Sequence, residues 1–154
     1  VDPEHIAVIA EKVLQGNPDI IGLADSVGVA VPNQIKKTFS LIKELAPNLP
    51  LRTHLHNTRN TGLANAAAAI DAGVTIIDSS TGGIGGCPFA PKATGNIPTD
   101  DLLYMLNRSG VETGVDLNLV VENSEWLETK LGRAVPAMVP KAGIFPENAE
   151  INMQ

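Results

Sequence analysis

The amino-acid sequence predicts an α/β fold with a parallel sheet. Three short apolar runs, Asp19–Asp25, Leu51–His56 and Val74–Ser79, alternate with segments whose apolar residues recur at helical spacing. Strict alternation of strands and helices indicates parallel strands joined by right-handed crossovers. Such a sheet belongs either to an open doubly wound fold or to a (β/α)₈ barrel. A whole barrel needs about 250 residues, so this chain of 154 residues would be a segment of one.

The first half of the chain predicts helices on either side of a buried strand. Asp2 followed by Pro3 is typical of a helix cap and first turn, and Gly16 marks the end of that helix. The run Asp19–Asp25 suits a strand that is buried on both faces. Pro32 opens the second helix. The apolar stripes of the two helices comprise Ile6, Ile9 and Val13, and then Ile35, Phe39, Ile42 and Leu45.

The second half continues the alternation and then becomes less regular. Residues 61–72 form an alanine-rich helix that precedes the third strand. Thr99 is expected to cap a further helix, with Asp100 in its first turn, where negative charge suits the helix dipole. Another helix is expected over residues 116–131. Residues 132–154 are expected to form an irregular, proline-containing tail, with no domain boundary along the chain.

Charge and composition exclude several classes of partner. The formal net charge is −6, which argues against nucleic acid or an anionic membrane surface as a partner. No apolar run is long enough to cross a bilayer. The single cysteine cannot form an internal disulfide, so we expect a free thiol in a reducing compartment. We therefore expect a cytoplasmic protein, or a mitochondrial one in a eukaryote.

Polar residues stand where each predicted strand ends. Asp25 ends the first strand, His54 and His56 end the second, and Asp78 ends the third. Ligands bind at this edge of parallel α/β sheets. Histidines two residues apart on a strand share a face, so the pair is a plausible half of a metal site. The alternative is that the histidines bond to loops and backbone while each carboxylate caps a turn. A carboxylate and two histidines at this edge, with the thiol of Cys87 after the third strand, together favour an enzyme.

A glycine-rich loop follows the third strand. It runs from Gly82 to Asn96 and contains Cys87, the only cysteine of the chain. Glycine permits close approach of a ligand, and the prolines after Cys87 stiffen the other side, an arrangement suited to presenting a thiol. The alternative is a surface loop with an incidental cysteine. Its first glycines are Gly82, Gly83, Gly85 and Gly86.

Four segments together resemble one enzyme family. GLADSVG (residues 22–28), HLHNT (54–58), DSSTGGIGGCPFAP (78–91) and TGN (94–96) are similar to hydroxymethylglutaryl-CoA lyases. These are metal-dependent enzymes of the lyase and aldolase group, built on a TIM barrel whose first strand carries an Asp-Arg-Glu motif. The resemblance implies that residues 1–154 are the C-terminal portion of a single TIM-barrel catalytic domain. They would contain its last three βα units and a C-terminal helix, without the Asp-Arg-Glu strand.

The same resemblance implies roles for individual residues. His54 and His56 would bind the metal, with Asn96 as a further ligand, and the ion would be Mg²⁺ or Mn²⁺, with Zn²⁺ an alternative. Asp25 would be an acid/base carboxylate near the substrate hydroxyl, and Cys87 the catalytic thiol. Further residues would join them: Asp100, at a position where the family typically has Glu, and the four loop glycines, which would face the acyl-CoA.

Two basic residues depart from the family pattern. Arg59 and Lys92 stand where the family commonly has other residues, and we hypothesise that they contact a carboxylate or the CoA phosphates of a somewhat different acyl-CoA. The alternative is that both are solvated surface charges.

The resemblance implies a retro-Claisen cleavage of 3-hydroxy-3-methylglutaryl-CoA to acetyl-CoA and acetoacetate by a homo-oligomer, for which we expect a dimer. One alternative is a Claisen-type synthase of the same group, similar to isopropylmalate or citramalate synthase, although those lack the GGCP loop. Another is a barrel domain without catalytic activity.

Overall fold

The structure is a computed structural model that describes residues 2–86 and 94–145. These residues form two compact units. The first contains the described residues of Val1–Ser79 and Gly85–Ile97, and the second those of Ser80–Ile84 and Pro98–Gln154. No helix in this part of the chain has both the length and the apolar character needed to cross a bilayer.

The first unit is a parallel α/β layer, as the alternation predicted. Its three strands lie in the order β1–β2–β3, and both neighbouring pairs are parallel. Ala24 is in register with His54, and His54 with Asp78. The elements are α1 (Pro3–Leu14), β1 (Ile21–Asp25), α2 (Pro32–Leu45), β2 (Leu51–Leu55), α3 (Gly62–Asp71) and β3 (Ile76–Asp78).

The two faces of this sheet differ in burial because side chains alternate along each strand. On one face Leu51, Thr53 and Leu55 are fully buried, together with Phe39 of α2. On the other face Arg52 is exposed and His54 is partly buried. β1 was expected to be buried on both faces, and it is not, because the core of the unit lies on the Leu51 side of the sheet only.

The second unit is helical. It contains a 3₁₀ turn (Thr81–Gly83), α4 (Thr99–Arg108), α5 (Leu117–Leu131) and α6 (Val139–Ala142). Its core joins one residue from each of the three α-helices, Leu103, Leu117 and Val139. Around them pack the partly buried side chains of Tyr104, Val120, Val121 and Ile144.

Helix ends in the second unit differ in detail from the prediction. Pro98 occupies the N-cap of α4 and Thr99 is its first helical residue, so Thr99 is not the cap. The tail expected to be irregular contains α6, whose Pro140 lies in the first turn, where proline is tolerated. Asp101 Oδ1 accepts from Met138 N at 2.9 Å and Val139 N at 2.8 Å, which satisfies backbone donors at the start of α6.

Candidate functional site

The structure brings the rings of His54 and His56 into edge contact through their Nε2 atoms. Their Nε2 atoms are 3.3 Å apart, and the ring planes meet at 69°. His56 is 3% exposed, whereas the side chain of His54 is 37% exposed. The period-two spacing on a strand predicted this shared face, and the described geometry agrees with it.

The outer nitrogen of each ring, Nδ1, is the one that does not contact the other histidine, and it lies near an oxygen atom. His56 Nδ1 lies 3.0 Å from the carbonyl oxygen of Thr94, which can only accept a hydrogen bond, so this nitrogen carries the proton. His54 Nδ1 lies 3.6 Å from Asp78 Oδ2. A carboxylate at that distance favours a proton on Nδ1 over one on Nε2. With both protons on Nδ1, the two Nε2 atoms present lone pairs toward the same point, whereas a proton on either Nε2 would make this contact a hydrogen bond.

Two facing imidazole lone pairs repel each other unless a cation lies between them. Two nitrogens that each lie about 2.1 Å from one ion, at an angle of roughly 100°, are separated by about the distance between His54 and His56 Nε2. The pair therefore fits a divalent metal. Within residues 2–86 and 94–145 no three His, Cys, Asp or Glu side chains come together as a fuller ligand set.

The loop after β2 is fastened to the segment that carries Asn96. His56 and Asn96 form an antiparallel bridge, Asn57 N donates to Gly95 O at 3.1 Å, and Ile97 N donates to Leu55 O at 3.1 Å. These bonds hold Asn96 beside His56 along the backbone. Asn96 therefore lies next to the histidine pair, as its proposed role as a ligand requires.

Gly85 packs against the Asn96 side chain. A Cβ at Gly85 would stand 2.8 Å from Asn96 Nδ2, and the backbone there has a φ of +114°. Glycine is needed at this position for both reasons. The described part of the glycine-rich loop thus supports the Asn96 amide directly.

Asp25 shares the sheet edge with the histidines but not their face. It is in register with Leu55, and its carboxylate accepts from Val29 N at 3.1 Å and Ala30 N at 2.9 Å. The resemblance implied an acid/base role for Asp25 near the substrate hydroxyl, and that role stays a prediction. In the structure its carboxylate shapes the loop that follows β1.

Arg59 binds that same loop. Its Nη1 donates to Val27 O at 3.1 Å and to Gly28 O at 2.9 Å. A Cβ at Gly28 would come within 2.8 Å of Thr58, so the loops after β1 and β2 are in close contact. Arg59 therefore connects two strand-end loops through at least one of its terminal nitrogens.

Gly82 and Asp100 form a buried contact within the second unit. Asp100 is fully buried, its Oδ2 accepts from Gly82 N at 2.7 Å, and its Oδ1 accepts from Ser124 Oγ. Gly82 O accepts from Ala137 N at 3.0 Å, and a Cβ at Gly82 would meet Val135 at 2.9 Å. We therefore read Gly82 as a packing glycine and Asp100 as its support. Neither the acyl-CoA contact expected for Gly82 nor the catalytic role expected for Asp100 follows from these bonds.

The structure says less about four other predicted site residues. Cys87 and Lys92 lie outside the described residues. Gly83 is buried in the 3₁₀ turn of the second unit, and Gly86 is exposed.

Sequence reasoning did not anticipate Arg52 as part of this site. It precedes His54 by two residues, so the period-two rule that paired the histidines also puts Arg52 on their face. Its Nη2 lies 2.8 Å from Asp78 Oδ1. The backbone carbonyl of Thr94 was also missed, and no side-chain pattern signals a carbonyl.

The fold and the histidine pair define a segment of a parallel α/β fold that carries two neighbouring imidazoles at the edge where such sheets bind ligands. Residues 1–126 match the HMGL-like family, and the chain belongs to that family. The predicted resemblance to hydroxymethylglutaryl-CoA lyases is confirmed, and the α/β fold matches TIM-barrel neighbours of that kind. The number of βα units that the chain contributes stays a prediction.

Individual relatives include lyases of two named activities. The chain is 47% identical over 148 residues to the (R)-citramalyl-CoA lyase of Chloroflexus aurantiacus, covering 96% of this chain and 47% of that protein. It is 37% identical over 142 residues to the mitochondrial hydroxymethylglutaryl-CoA lyase of Mus musculus, covering 92% of this chain and 44% of that protein. The chain spans about half the length of these curated relatives.

A solved structure shows the same fold. The HMG-CoA lyase of Acinetobacter baumannii, in complex with coenzyme A and 3-methylmalate, superposes with a TM-score of 0.87 at 38% identity. The match covers 96% of this chain and 48% of that structure.

Proposed function

We propose that the protein to which this chain belongs is a metal-dependent acyl-CoA lyase that cleaves a carbon–carbon bond beside a tertiary hydroxyl. The observation that carries the proposal is the 3.3 Å approach of His54 and His56 Nε2, with each Nδ1 directed at an oxygen. This arrangement offers two lone pairs to one cation at the edge of the sheet where α/β enzymes bind ligands. Membership of the HMGL-like family supports the reaction class.

Two substrates fit this class, and they differ by one methylene group. In 3-hydroxy-3-methylglutaryl-CoA a methylene separates the carbinol carbon from the free carboxylate, whereas in citramalyl-CoA the carboxylate is attached directly. The higher identity to the citramalyl-CoA lyase favours the shorter substrate. The Acinetobacter baumannii structure supports the same choice, because 3-methylmalate is a positional isomer of citramalate.

The proposed reaction is a retro-Claisen cleavage. The hydroxyl loses its proton, the bond between C2 and C3 breaks, a keto acid leaves, and the acetyl-CoA enolate takes up a proton at carbon. His54 and His56 would hold a divalent cation, which would supply positive charge to stabilise the substrate oxygen as its proton leaves. Mg²⁺ and Mn²⁺ suit oxygen-rich completion of such a site.

The chain's own residues orient this site. Thr94 O accepts from His56 Nδ1, and the Asp78 carboxylate 3.6 Å from His54 Nδ1 favours a proton there, so that both Nε2 atoms would be available as ligands. Asn96, fastened beside His56, is proposed as a third ligand, and Cys87 as the proton donor to the enolate. Arg59 and Lys92 stay proposed contacts for the carboxylate or CoA phosphates, although Arg59 Nη1 already bonds the loop after β1.

The test is an assay of the full-length enzyme on both substrates. Pyruvate, measured with lactate dehydrogenase, reports cleavage of citramalyl-CoA, and acetoacetate, measured with 3-hydroxybutyrate dehydrogenase, reports cleavage of hydroxymethylglutaryl-CoA. We expect Mn²⁺-dependent pyruvate release that His54→Ala and His56→Ala each reduce by at least about 100-fold.

A matched control variant tests whether the loss of turnover is specific to the histidine substitutions. Glu4→Gln breaks the exposed Lys37–Glu4 ion pair on α1 and α2 and is expected to leave turnover unchanged. Turnover of neither substrate in the presence of Mn²⁺, or full activity of His54→Ala, would refute the proposal. Release of acetoacetate without pyruvate would support the lyase proposal but identify hydroxymethylglutaryl-CoA, not citramalyl-CoA, as the substrate.

A further inference from the structure

We propose that Arg52 and Asp78 form a positioning relay that fixes the ring of His54. The inference rests on the proposed function, because it concerns how the chain prepares a metal ligand. Arg52 and His54 lie two residues apart on one face of β2, and Asp78, the register partner of His54 on β3, contacts both side chains.

The Asp78 carboxylate is held firmly from one side. Arg52 Nε lies 2.9 Å from Oδ1 and 3.0 Å from Oδ2, and Arg52 Nη2 lies 2.8 Å from Oδ1. A planar guanidinium that engages a carboxylate through two nitrogens fixes its orientation as well as its position. The Asp78 side chain is 28% exposed and that of Arg52 50%, so the charge pair is only partly screened by solvent.

The orientation directs one carboxylate oxygen at His54. Asp78 Oδ2 is 3.6 Å from His54 Nδ1, and the opposite ring nitrogen, Nε2, faces His56. A negative charge at Nδ1 selects the tautomer with its proton there and raises the basicity of Nε2 as a ligand.

Through its ion pair with Asp78, Arg52 also keeps that carboxylate near His54. A carboxylate released from Arg52 can rotate away from His54 Nδ1. Removal of Arg52 therefore acts on His54 through Asp78, without Arg52 touching the imidazole. His56 offers an internal comparison, because its Nδ1 bonds the backbone oxygen of Thr94 and not this relay.

The test uses Mn²⁺ as the probe on the full-length enzyme, with its affinity measured by calorimetry. We expect Arg52→Ala and Asp78→Asn each to weaken Mn²⁺ binding by about 10- to 100-fold, the range measured for residues that orient metal-binding histidines. Arg52→Lys keeps the charge but not the planar fork, so it is expected to recover part of the affinity. Glu4→Gln, which breaks an exposed ion pair elsewhere, is the control and should bind Mn²⁺ as the wild type does.

A second readout needs neither metal nor turnover. In ¹⁵N-histidine NMR spectra of the metal-free enzyme, the fraction of His54 with its proton on Nδ1 should fall in Arg52→Ala and Asp78→Asn. The tautomer of His56 should not change. A general loss of structure would alter both rings, so a selective change identifies the relay. If Arg52→Ala does not fold, Arg52→Lys and Asp78→Asn supply the same comparison.

The outcomes separate this inference from the proposed function. Mn²⁺ affinity within twofold of wild type, with an unchanged His54 tautomer, would refute the relay. The lyase proposal would still stand if His54→Ala abolished Mn²⁺ binding. A wild-type enzyme that binds no Mn²⁺ would overturn both.

Discussion

Replacement of Gly62 by alanine is the sharpest test of how the site is packed. Gly62 opens α3, where a Cβ would lie 2.4 Å from Ile97 Cγ2, 3.0 Å from Asn57 Oδ1 and 3.1 Å from His56 O. The first of these is more than 1 Å short of an ordinary carbon–carbon contact of about 3.5 Å. Ile97 cannot yield easily, because it is fully buried and its N–H bonds Leu55 O.

Two opposing terms set the size of the effect. Overpacking of a rigid site costs about 1–3 kcal/mol. Alanine is the better helix former by up to about 1 kcal/mol, which offsets part of that cost. We therefore expect Gly62→Ala to lower the free energy of unfolding by about 1–2 kcal/mol. Displacement of Ile97 also moves its neighbour Asn96, so we expect Mn²⁺ affinity to fall in the same variant.

The assay is urea denaturation of the full-length enzyme, with Ala67→Ser as the control. Ala67 is exposed on the same helix, and adding one heavy atom there should change stability by less than about 0.5 kcal/mol. A double-mutant cycle with Ile97→Ala isolates the contact, since removing Cγ2 should cancel most of the cost of the new methyl group. A Gly62→Ala enzyme as stable as Ala67→Ser, or additive effects in the cycle, would refute this account of Gly62.

Two further predictions follow from the described contacts. Gly85→Ala is expected to reduce turnover by about 10- to 100-fold, because the new methyl group displaces the Asn96 amide and the positive φ is strained. Steady-state kinetics test this, and unchanged kcat would contradict it. Asp101→Asn tests a pH effect: burial raises the pKa of Asp101, although backbone bonds from Val139 and Met138 oppose the rise. A raised pKa contributes stability below the unfolded value near 3.8 that is lost as pH rises through the folded pKa. The stability of Asp101→Asn relative to wild type should therefore increase between pH 3.5 and pH 7, and a flat or falling difference in urea melts would contradict this.

The histidine pair could be predicted from sequence because one rule was enough. Alternation along a strand puts residues two apart on one face, whatever surrounds them. The shared face of His54 and His56 required no other information. The parallel α/β layer was likewise predicted from a local pattern, the alternation of short apolar runs with segments of helical spacing. The same rule, applied to Arg52, would have added it to the face.

Asp25 and Asp100 show where such rules stop. Asp25 follows Ala24, the register partner of His54, and a single step along a strand moves a side chain to the other face, so a position at the strand end does not by itself fix where the carboxylate points. Asp100 stands in the first turn of a helix, where an exposed carboxylate is common. Its burial depends on Gly82 and Ser124, which lie 18 and 24 residues away in sequence, and no local pattern reports such contacts.

His54 on β2 and His56 directly after it are only two residues apart, and this spacing has a consequence for metal choice in the proposed site. In the proposed site the two nitrogens would act as a chelate whose bite is set by the backbone at the end of β2, not by the assembly of distant elements. The entropy of bringing two ligands together is lost when the strand forms, before any ion arrives. An ion that requires a wider or narrower bite must be accommodated by rotation of the rings, which the bond from His56 Nδ1 to Thr94 O and the charge of Asp78 near His54 Nδ1 both oppose. Discrimination among divalent ions is therefore expected to respond to those outer restraints as strongly as to the ligands themselves.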